Sequence, residues 1–220
     1  MTNDRSEFWS KVAGKYDRVV DLQIGPQTRS LVRQRLRNEE HLCNVAEFGC
    51  GTGYYTQVLA EKAETVIATD LSPGMLEFAK QRVKAANVKF QTEDCQSTSL
   101  PSAMFDTAFI GLVLHFADPK RTLAEMHRIL KPGGTLIIAN LDFHALRGID
   151  QLRSTMRVLY HGATGYRLKP PKRFITKMLT DKQLCALLNR MGFNVISSEV
   201  IKAQSRSANI PIDYIKAMKA

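Results

Sequence analysis

Three glycines at alternate positions, Gly49, Gly51 and Gly53, follow the apolar run 45–48 and precede a helical stretch. Glycines at this spacing let a backbone bend sharply and approach a ligand closely, because no side chain stands in the way. The helix that follows presents free N–H groups to an anionic part of that ligand. The pattern indicates a loop that binds a nucleotide-like cofactor.

Two acidic residues lie where the same cofactor would need them. Asp70 ends the second predicted strand, 21 residues after Gly49, and an acid there accepts hydrogen bonds from both ribose hydroxyls. Asp94 follows the third predicted strand in the same crevice, within reach of an adenine amino group. A dinucleotide fingerprint requires glycine where this chain has Tyr54, and no evident Tyr-x-x-x-Lys element occurs. These features argue against a nicotinamide-dependent oxidoreductase.

Candidates for a general base come from the ends of later strands. His115 follows the fourth predicted strand, at the expected edge of the pocket. Asp142 and His144, after the fifth strand, are second candidates, whereas His127 lies inside a predicted helix and is expected to pack or to face solvent. The four cysteines form no cluster, so the sequence predicts no metal site.

Short apolar runs that alternate with amphipathic stretches predict the elements that position these residues. Two helical stretches open the chain, around 5–20 and 26–37. Strands follow at 45–48, 65–69, 88–91, 105–110 and 135–140, with helices at about 54–63, 73–86 and 118–130. A capped helix from Thr180 and strands at 193–201 and around 211–219 complete the series. This alternation predicts an α/β fold with a doubly wound, seven-stranded, mostly parallel sheet and helices on both faces.

The length and composition fit a single domain over residues 1–220. Its predicted parts are an N-terminal helical cap (1–40), a cofactor-binding core (44–140), a lid over the acceptor (141–180) and a C-terminal helix with strands (181–220). Apolar residues make up 44% of the chain, enough for a core without disulfides or metals. The chain lacks a signal-like N-terminal segment and an apolar run of about 18 residues, which predicts a cytoplasmic protein without a membrane span.

Most of the net charge of +10 is concentrated in the predicted lid. Between positions 147 and 177, eight lysines and arginines stand against one acid, Asp150. Such a stretch attracts anions, nucleic acid or acidic lipid, and a solvated surface accounts for it equally well. The charge favours an anionic small acceptor or a lipid precursor and leaves a nucleic-acid acceptor open.

Six segments, in this order and spacing, resemble the class I, seven-stranded S-adenosylmethionine-dependent methyltransferases, and more narrowly their small-acceptor branch with the ubiquinone and menaquinone C-methyltransferases. The segments are FWSKVAGKYD (8–17), VAEFGCGTGYYT (45–56), VIATDLSPGML (66–76), TEDCQSTSLP (92–101), FDTAFIGLVLHFADP (105–119) and LKPGGTLII (130–138). The resemblance covers residues 8–140 and weakens from about residue 141. It implies S-adenosylmethionine as cofactor, S-adenosylhomocysteine as product, a small-molecule acceptor, and a monomer or homodimer.

The resemblance also implies which residues bind the methionine half of the cofactor. The loop with Gly49, Cys50, Gly51 and Gly53 would cradle it. Glu47 would support the amino group, and Tyr16 would lie near the carboxylate. The backbone near Leu112 would run beside the methionine chain.

The same likeness implies contacts to the adenosine half. Asp70 would hold the ribose hydroxyls. Leu71 and Met75 would lie against the adenine face, and Asp94 and Cys95 at its edge. The predicted site is therefore built from the ends of several strands.

Methyl transfer from a sulfonium is an in-line displacement in which the cofactor already carries its leaving group. The protein mainly has to align the acceptor and exclude water, so a catalytic signature is not required. The sequence identifies neither the acceptor nor the methylated atom. Two further hypotheses stay open: an RNA or protein methyltransferase that uses the basic lid, and a non-catalytic member that binds the cofactor. No appended RNA-binding module and no Asn/Asp-Pro-Pro-Tyr run supports the RNA hypothesis.

Overall fold

Seven strands form one sheet, and helices pack on both of its faces. The structure, a computed structural model, describes residues 2–142, 170–171, 178–202 and 210–220. The strands are β1 Cys43–Phe48, β2 Ala63–Asp70, β3 Val88–Thr92, β4 Phe105–Gly111, β5 Leu130–Leu141, β6 Phe193–Ile201 and β7 Ile212–Lys219. The helices are α1 Thr2–Val12, α2 Tyr16–Ile24, α3 Pro26–Arg37, α4 Thr56–Lys62, α5 Pro73–Arg82, α6 Pro119–Ile129 and α7 Asp181–Arg190, with 3-10 helices at Ala13–Lys15 and Leu114–Phe116.

The strand order is β3-β2-β1-β4-β5-β7-β6. Strands β1 to β5 pair in parallel, and β7 runs antiparallel between β5 and β6. The order reverses between β1 and β4, and ligands of open α/β sheets bind outside the carboxyl ends of the strands at such a point. The prediction of a doubly wound, mostly parallel sheet of seven strands is confirmed.

Apolar side chains cover both faces of this sheet. Neighbouring residues of a strand point to opposite faces, so Val45 and Ala46 of β1 belong to different clusters although both are fully buried. The cluster around Val45 includes side chains of α1 to α5, and the cluster around Ala46 includes those of α6 and α7. The two layers hold the carboxyl ends of β1, β2 and β4 in fixed relative positions.

Side-chain caps fix the starts of two helices beside this edge of the sheet. The Ser72 hydroxyl accepts a hydrogen bond from the Met75 N–H at 3.1 Å, and Asp118 accepts from the N–H groups of Lys120 and Arg121. Both helices begin with proline, which suits the first helical position because no N–H is needed there. Helices α5 and α6 therefore begin close to the positions predicted for them.

The prediction of a single first helix over 5–20 is wrong. Helix α1 ends at Val12, a 3-10 turn spans Ala13–Lys15, and α2 begins at Tyr16. Gly14 lies in this turn, and glycine is among the weakest helix formers. The other helix boundaries differ less, since the helix predicted at 54–63 begins at Thr56 and that predicted at 73–86 ends at Arg82.

Most of the predicted lid over 141–180 lies outside the described residues, and so do the eight basic residues between 147 and 177. The prediction of a lid, and the division of the chain into four parts, therefore stay predictions. Within the described ranges, no helix is both long and apolar enough to cross a membrane.

Candidate active site

A cavity opens at the carboxyl ends of β1, β2 and β4, where the strand order reverses. It encloses about 660 Å³ of space free of protein atoms, counting the part open to solvent. Nine of the twelve predicted cofactor-binding residues line the cavity: Tyr16, Gly49, Gly51, Asp70, Leu71, Met75, Asp94, Cys95 and Leu112.

The glycine loop needs its glycines for two different reasons. Gly49, Gly51 and Gly53 have φ angles of 66°, 55° and 79°, in the left-handed region that side chains disfavour. A Cβ atom on Gly49 would lie 2.4 Å from Cγ2 of Val113, so the loop packs directly against the end of β4. A Cβ on Gly51 would have Tyr16 as its nearest neighbour, at 3.6 Å. Gly51 therefore leaves room on the cavity side of the loop.

Asp70 links the glycine loop to the start of α5. Its carboxylate accepts from the N–H groups of Gly51 and Ser72, both at 2.9 Å. Burial raises its pKa to about 6, and these backbone hydrogen bonds oppose that rise. At neutral pH the carboxylate is mainly ionised, and its remaining lone pairs can accept from ligand hydroxyls.

The residues predicted beside adenine come together on the far side of Asp70. Leu71, Met75, Asp94 and Cys95 all line the cavity. An Asp94 oxygen accepts from the backbone and side-chain nitrogens of Gln96, at 3.0 and 3.1 Å. This arrangement gives the cavity an apolar wall with one carboxylate at its edge.

Helix α1 covers the cavity, and the sequence did not assign its side chains to the site. Trp9 lines the cavity and packs edge-on against Tyr16 and Phe116, with ring centroids 6.1 and 4.8 Å away. Arg5 also lines it and donates to the Phe116 carbonyl at 3.1 Å. The other unassigned lining residues are Glu93, Gln96, Val113, Phe116 and Ala117. All of these residues except Arg5 belong to the quoted segments 8–17, 92–101 and 105–119, but the resemblance assigned none of them to the cofactor.

Three predicted cofactor residues do not line the cavity. Glu47 is buried beneath the loop and accepts from the Thr56 hydroxyl at 2.6 Å. A Cβ on Gly53 would meet Ala79 of α5 at 3.2 Å, which indicates a close approach of backbones. Burial raises the pKa of the Cys50 thiol well above its ordinary value. These three residues pack on the side of the loop that faces away from the cavity. A direct contact with the cofactor stays a prediction for them.

Glu47 makes the stability of the protein depend on pH. Burial raises its pKa from 4.5 to about 8, so the folded state favours the neutral acid. That preference stabilises the fold fully below pH 4.5 and is lost as the pH rises through 8. We expect Glu47→Gln, which is always neutral, to raise Tm at pH 8 by roughly 2–8 °C and to leave it nearly unchanged at pH 4.5.

Differential scanning calorimetry without cofactor measures this effect. Glu61→Gln is the matched control, because Glu61 is exposed and its hydrogen bond from Arg37 lowers the pKa of its carboxyl. The Tm of Glu61→Gln should not rise above that of the wild type at pH 8. Parallel Tm curves for the wild type and Glu47→Gln between pH 4.5 and 8 would contradict the assigned burial cost.

None of the described candidates for a general base lines the cavity. The His115 ring lines a separate small cavity with Asn140 and Leu179, and burial lowers its pKa to about 4. Asp142 is buried, and its backbone N–H donates a hydrogen bond to the Pro211 carbonyl. His144 lies outside the described residues. His127 packs edge-on against Phe193, 5.1 Å between ring centroids. The base role of His115 stays a prediction that this geometry does not favour.

Comparison with known proteins supports the family implied by these features. Residues 46–138 match a family model described as a methyltransferase domain. This match covers the glycine loop, Asp70 and the strands that form the cavity floor. Together with the sequence likeness to other methyltransferases, it supports a class I S-adenosylmethionine-dependent methyltransferase domain. S-adenosylmethionine is the cofactor of such methyltransferases, as the resemblance implied.

Relatives of this chain act on different acceptors, according to their names. It is 35% identical over 140 residues to malonyl-[acyl-carrier protein] O-methyltransferase of Serratia marcescens, covering 63% of this chain and 53% of that protein. It is 25% identical over 225 residues to the enzyme of that name from Paenibacillus sp. strain JDR-2, and this match covers 97% of this chain and 79% of that protein. It is 33% identical over 144 residues to demethylmenaquinone methyltransferase of Symbiobacterium thermophilum, and this match covers 60% of this chain and 56% of that protein. The chain thus spans about half the length of the Serratia relative.

A solved structure confirms the fold of the chain. Magnesium protoporphyrin IX methyltransferase from Synechocystis PCC 6803, with bound S-adenosylhomocysteine, superimposes with a TM-score of 0.71 at 16% identity. The match covers 100% of both chains. At this identity the likeness extends to the architecture alone.

Proposed function

We propose that this protein transfers the methyl group of S-adenosylmethionine to a carboxylate oxygen of a small acyl acceptor. The observation that carries the proposal is the chemistry of the cavity wall. Among the described lining residues, Arg5 is the one cation, and no lysine or histidine is present. The described part of the wall offers neither an amine nor an imidazole to accept a proton, which suits an acceptor that is already ionised.

A carboxylate needs no general base, because its oxygen attacks with a lone pair that no proton occupies at neutral pH. The oxygen forms a bond to the methyl carbon, the bond from carbon to sulfur breaks, and its electron pair stays on sulfur. A sulfonium and a carboxylate become a neutral thioether and a neutral ester. This loss of charge is favoured in a cavity of low dielectric constant from which water is excluded.

The charges on the cavity wall support one part that binds the cofactor and another part that binds the carboxylate of the acceptor. Asp70, Glu93 and Asp94 lie on its wall and suit the hydroxyl and amino donors of a cofactor. Arg5, from helix α1, supplies a guanidinium that pairs with carboxylates in a planar geometry. The names of the Serratia and Paenibacillus relatives, which are O-methyltransferases of a malonyl group on a carrier protein, also favour a carboxylate acceptor.

The test is an assay with purified protein, S-adenosylmethionine and a malonyl thioester, with S-adenosylhomocysteine and the methyl ester quantified by mass spectrometry. We expect both products to form in equal amounts. Two matched controls lack the reacting carboxylate: the acetyl thioester and the malonyl thioester already esterified at that carboxylate. Neither control should support turnover.

The alternatives give different results in the same assay. A non-catalytic member would bind S-adenosylmethionine in a calorimetric titration and release no S-adenosylhomocysteine with any acceptor. An RNA or protein methyltransferase would turn over with total RNA or a protein extract and not with the thioester. Either outcome overturns the carboxylate acceptor, and the absence of cofactor binding overturns the proposal as a whole.

A further inference from the structure

The glycine loop is held from the inside by strand β2. The Cys50 N–H donates to the Thr69 carbonyl at 2.8 Å, and the Gly51 N–H donates to Asp70 at 2.9 Å. Three glycines in five positions make such a loop permissive, since each populates many backbone conformations. These two hydrogen bonds hold only the first half of the loop. The second half, from Thr52 onward, needs contacts from other elements.

Asp17 supplies the contacts on the outer side. One of its oxygens accepts from the Thr52 hydroxyl at 2.9 Å and from Arg82 at 2.5 Å, and the other accepts from Arg29 at 2.9 Å. Arg82 also donates to the Thr52 carbonyl at 2.9 Å. A single carboxylate thus joins helices α2, α3 and α5 to the residue between Gly51 and Gly53.

The surroundings of Asp17 make these contacts strong. Arg29 is 2% exposed, and its guanidinium also pairs with Asp21 and lies 3.7 Å from the ring centroid of Tyr54, the residue after Gly53. Burial of Asp17 would raise its pKa, but the hydrogen bonds from Arg82 and Arg29 outweigh it, so the pKa is lowered. Charge-assisted hydrogen bonds are stronger than neutral ones, and the one from Arg29 is also partly shielded from water because that guanidinium is buried.

We propose that Asp17 is a positioning residue that holds the glycine loop ready for the cofactor through Thr52 and Arg82. Neither Asp17 nor Arg82 lines the cavity, so the effect on a ligand passes through the loop. A loop fixed in advance loses less conformational entropy when the ligand binds. The proposal rests on cofactor binding at this loop, which is part of the proposed function.

The test is the affinity of Asp17→Asn for S-adenosylhomocysteine, which needs no acceptor. Calorimetric titration measures it, and the fluorescence of Trp9, the single tryptophan, gives a second signal from the cavity wall. We expect the affinity to fall at least tenfold. The wild type is titrated first, and the absence of binding there would overturn the proposed function before the variant is considered.

Asp106→Asn separates positioning from a general loss of stability. Asp106 is as exposed as Asp17, at 31% against 27%, and pairs with Lys131 and Asn44 at the opposite end of the sheet. Its variant should lower Tm and bind S-adenosylhomocysteine with wild-type affinity. If Asp17→Asn lowers Tm and likewise binds with wild-type affinity, Asp17 is only structural and the proposal fails.

Variants of Thr52 decide the question if Asp17→Asn does not fold. Thr52→Ser keeps the hydroxyl that donates to Asp17, whereas Thr52→Val keeps the shape and loses it. We expect Thr52→Ser to bind within threefold of the wild type and Thr52→Val to bind at least fivefold more weakly than Thr52→Ser. Equal affinities for the two variants would overturn the role of this hydroxyl and the proposal with it.

Discussion

Asp70→Ala is expected to weaken the binding of S-adenosylhomocysteine by roughly 10²–10⁴-fold, because two charge-assisted hydrogen bonds to ribose hydroxyls contribute about 1.5–3 kcal/mol each. The carboxylate lies on the cavity wall and already fixes the N–H of Gly51 at 2.9 Å. Its loss therefore removes a ligand contact and loosens the loop. Isothermal titration calorimetry at pH 7.5 measures the change, well above the pKa of about 6 that burial gives Asp70.

Two further variants separate these contributions. Asp106→Ala removes a carboxylate that also accepts from a backbone N–H, that of Asn44 at 3.2 Å, but at the far end of β4. It should leave the affinity unchanged. Asp70→Asn keeps one acceptor oxygen and should bind more tightly than Asp70→Ala. Wild-type affinity in Asp70→Ala would remove Asp70 from the cofactor site.

Gly51→Val is expected to reduce binding of S-adenosylhomocysteine by more than about 10³-fold, below what calorimetry detects. Two effects act together. The φ angle of 55° disfavours a branched side chain, and the added methyl groups would occupy cavity space beside Tyr16, which lies 3.6 Å from a Cβ at this position. The main measurement is again calorimetric titration, accompanied by Tm to confirm that the variant folds.

Gly133→Ala isolates the effect of backbone strain. Gly133 also has a left-handed φ, 74°, and nothing lies within 4 Å of a Cβ built on it. This variant should lose stability and keep full affinity. Gly51→Ala adds a smaller group at the site and should bind more weakly than the wild type and better than Gly51→Val. A folded Gly51→Val that binds normally would refute the assignment of the loop.

The fold and the cofactor loop could be predicted because their signals are local. Apolar runs of strand length define β1 to β5, and the spacing of Gly49, Gly51 and Gly53 reflects conformations that glycine adopts most easily. The position of Asp70 on the cavity wall was predicted for the same reason, since the end of a parallel strand places its side chain at the ligand edge of the sheet. Helix boundaries were less accurate, as the break after Val12 shows.

The roles of individual side chains depended on burial and on which elements meet. Glu47 belongs to the same motif as Gly49, yet it lies beneath the loop and does not reach the cavity wall. His115 follows β4 as predicted, but the 3-10 helix at this point directs its ring into a separate cavity. Sequence spacing places a residue along a strand, and packing decides which side of the loop it faces.

The sequence by itself determined the class of fold, a doubly wound α/β sheet with a glycine loop for which the family resemblance implies S-adenosylmethionine. Only the tertiary structure brought Asp17 and Arg82 together, 65 residues apart in the chain, on the outer side of that loop. The tertiary structure also placed Arg5 and Trp9 of α1 on the cavity wall. Short-range patterns encode backbone conformation and burial periodicity, whereas these contacts arise from the docking of distant helices and leave no periodic trace in the sequence.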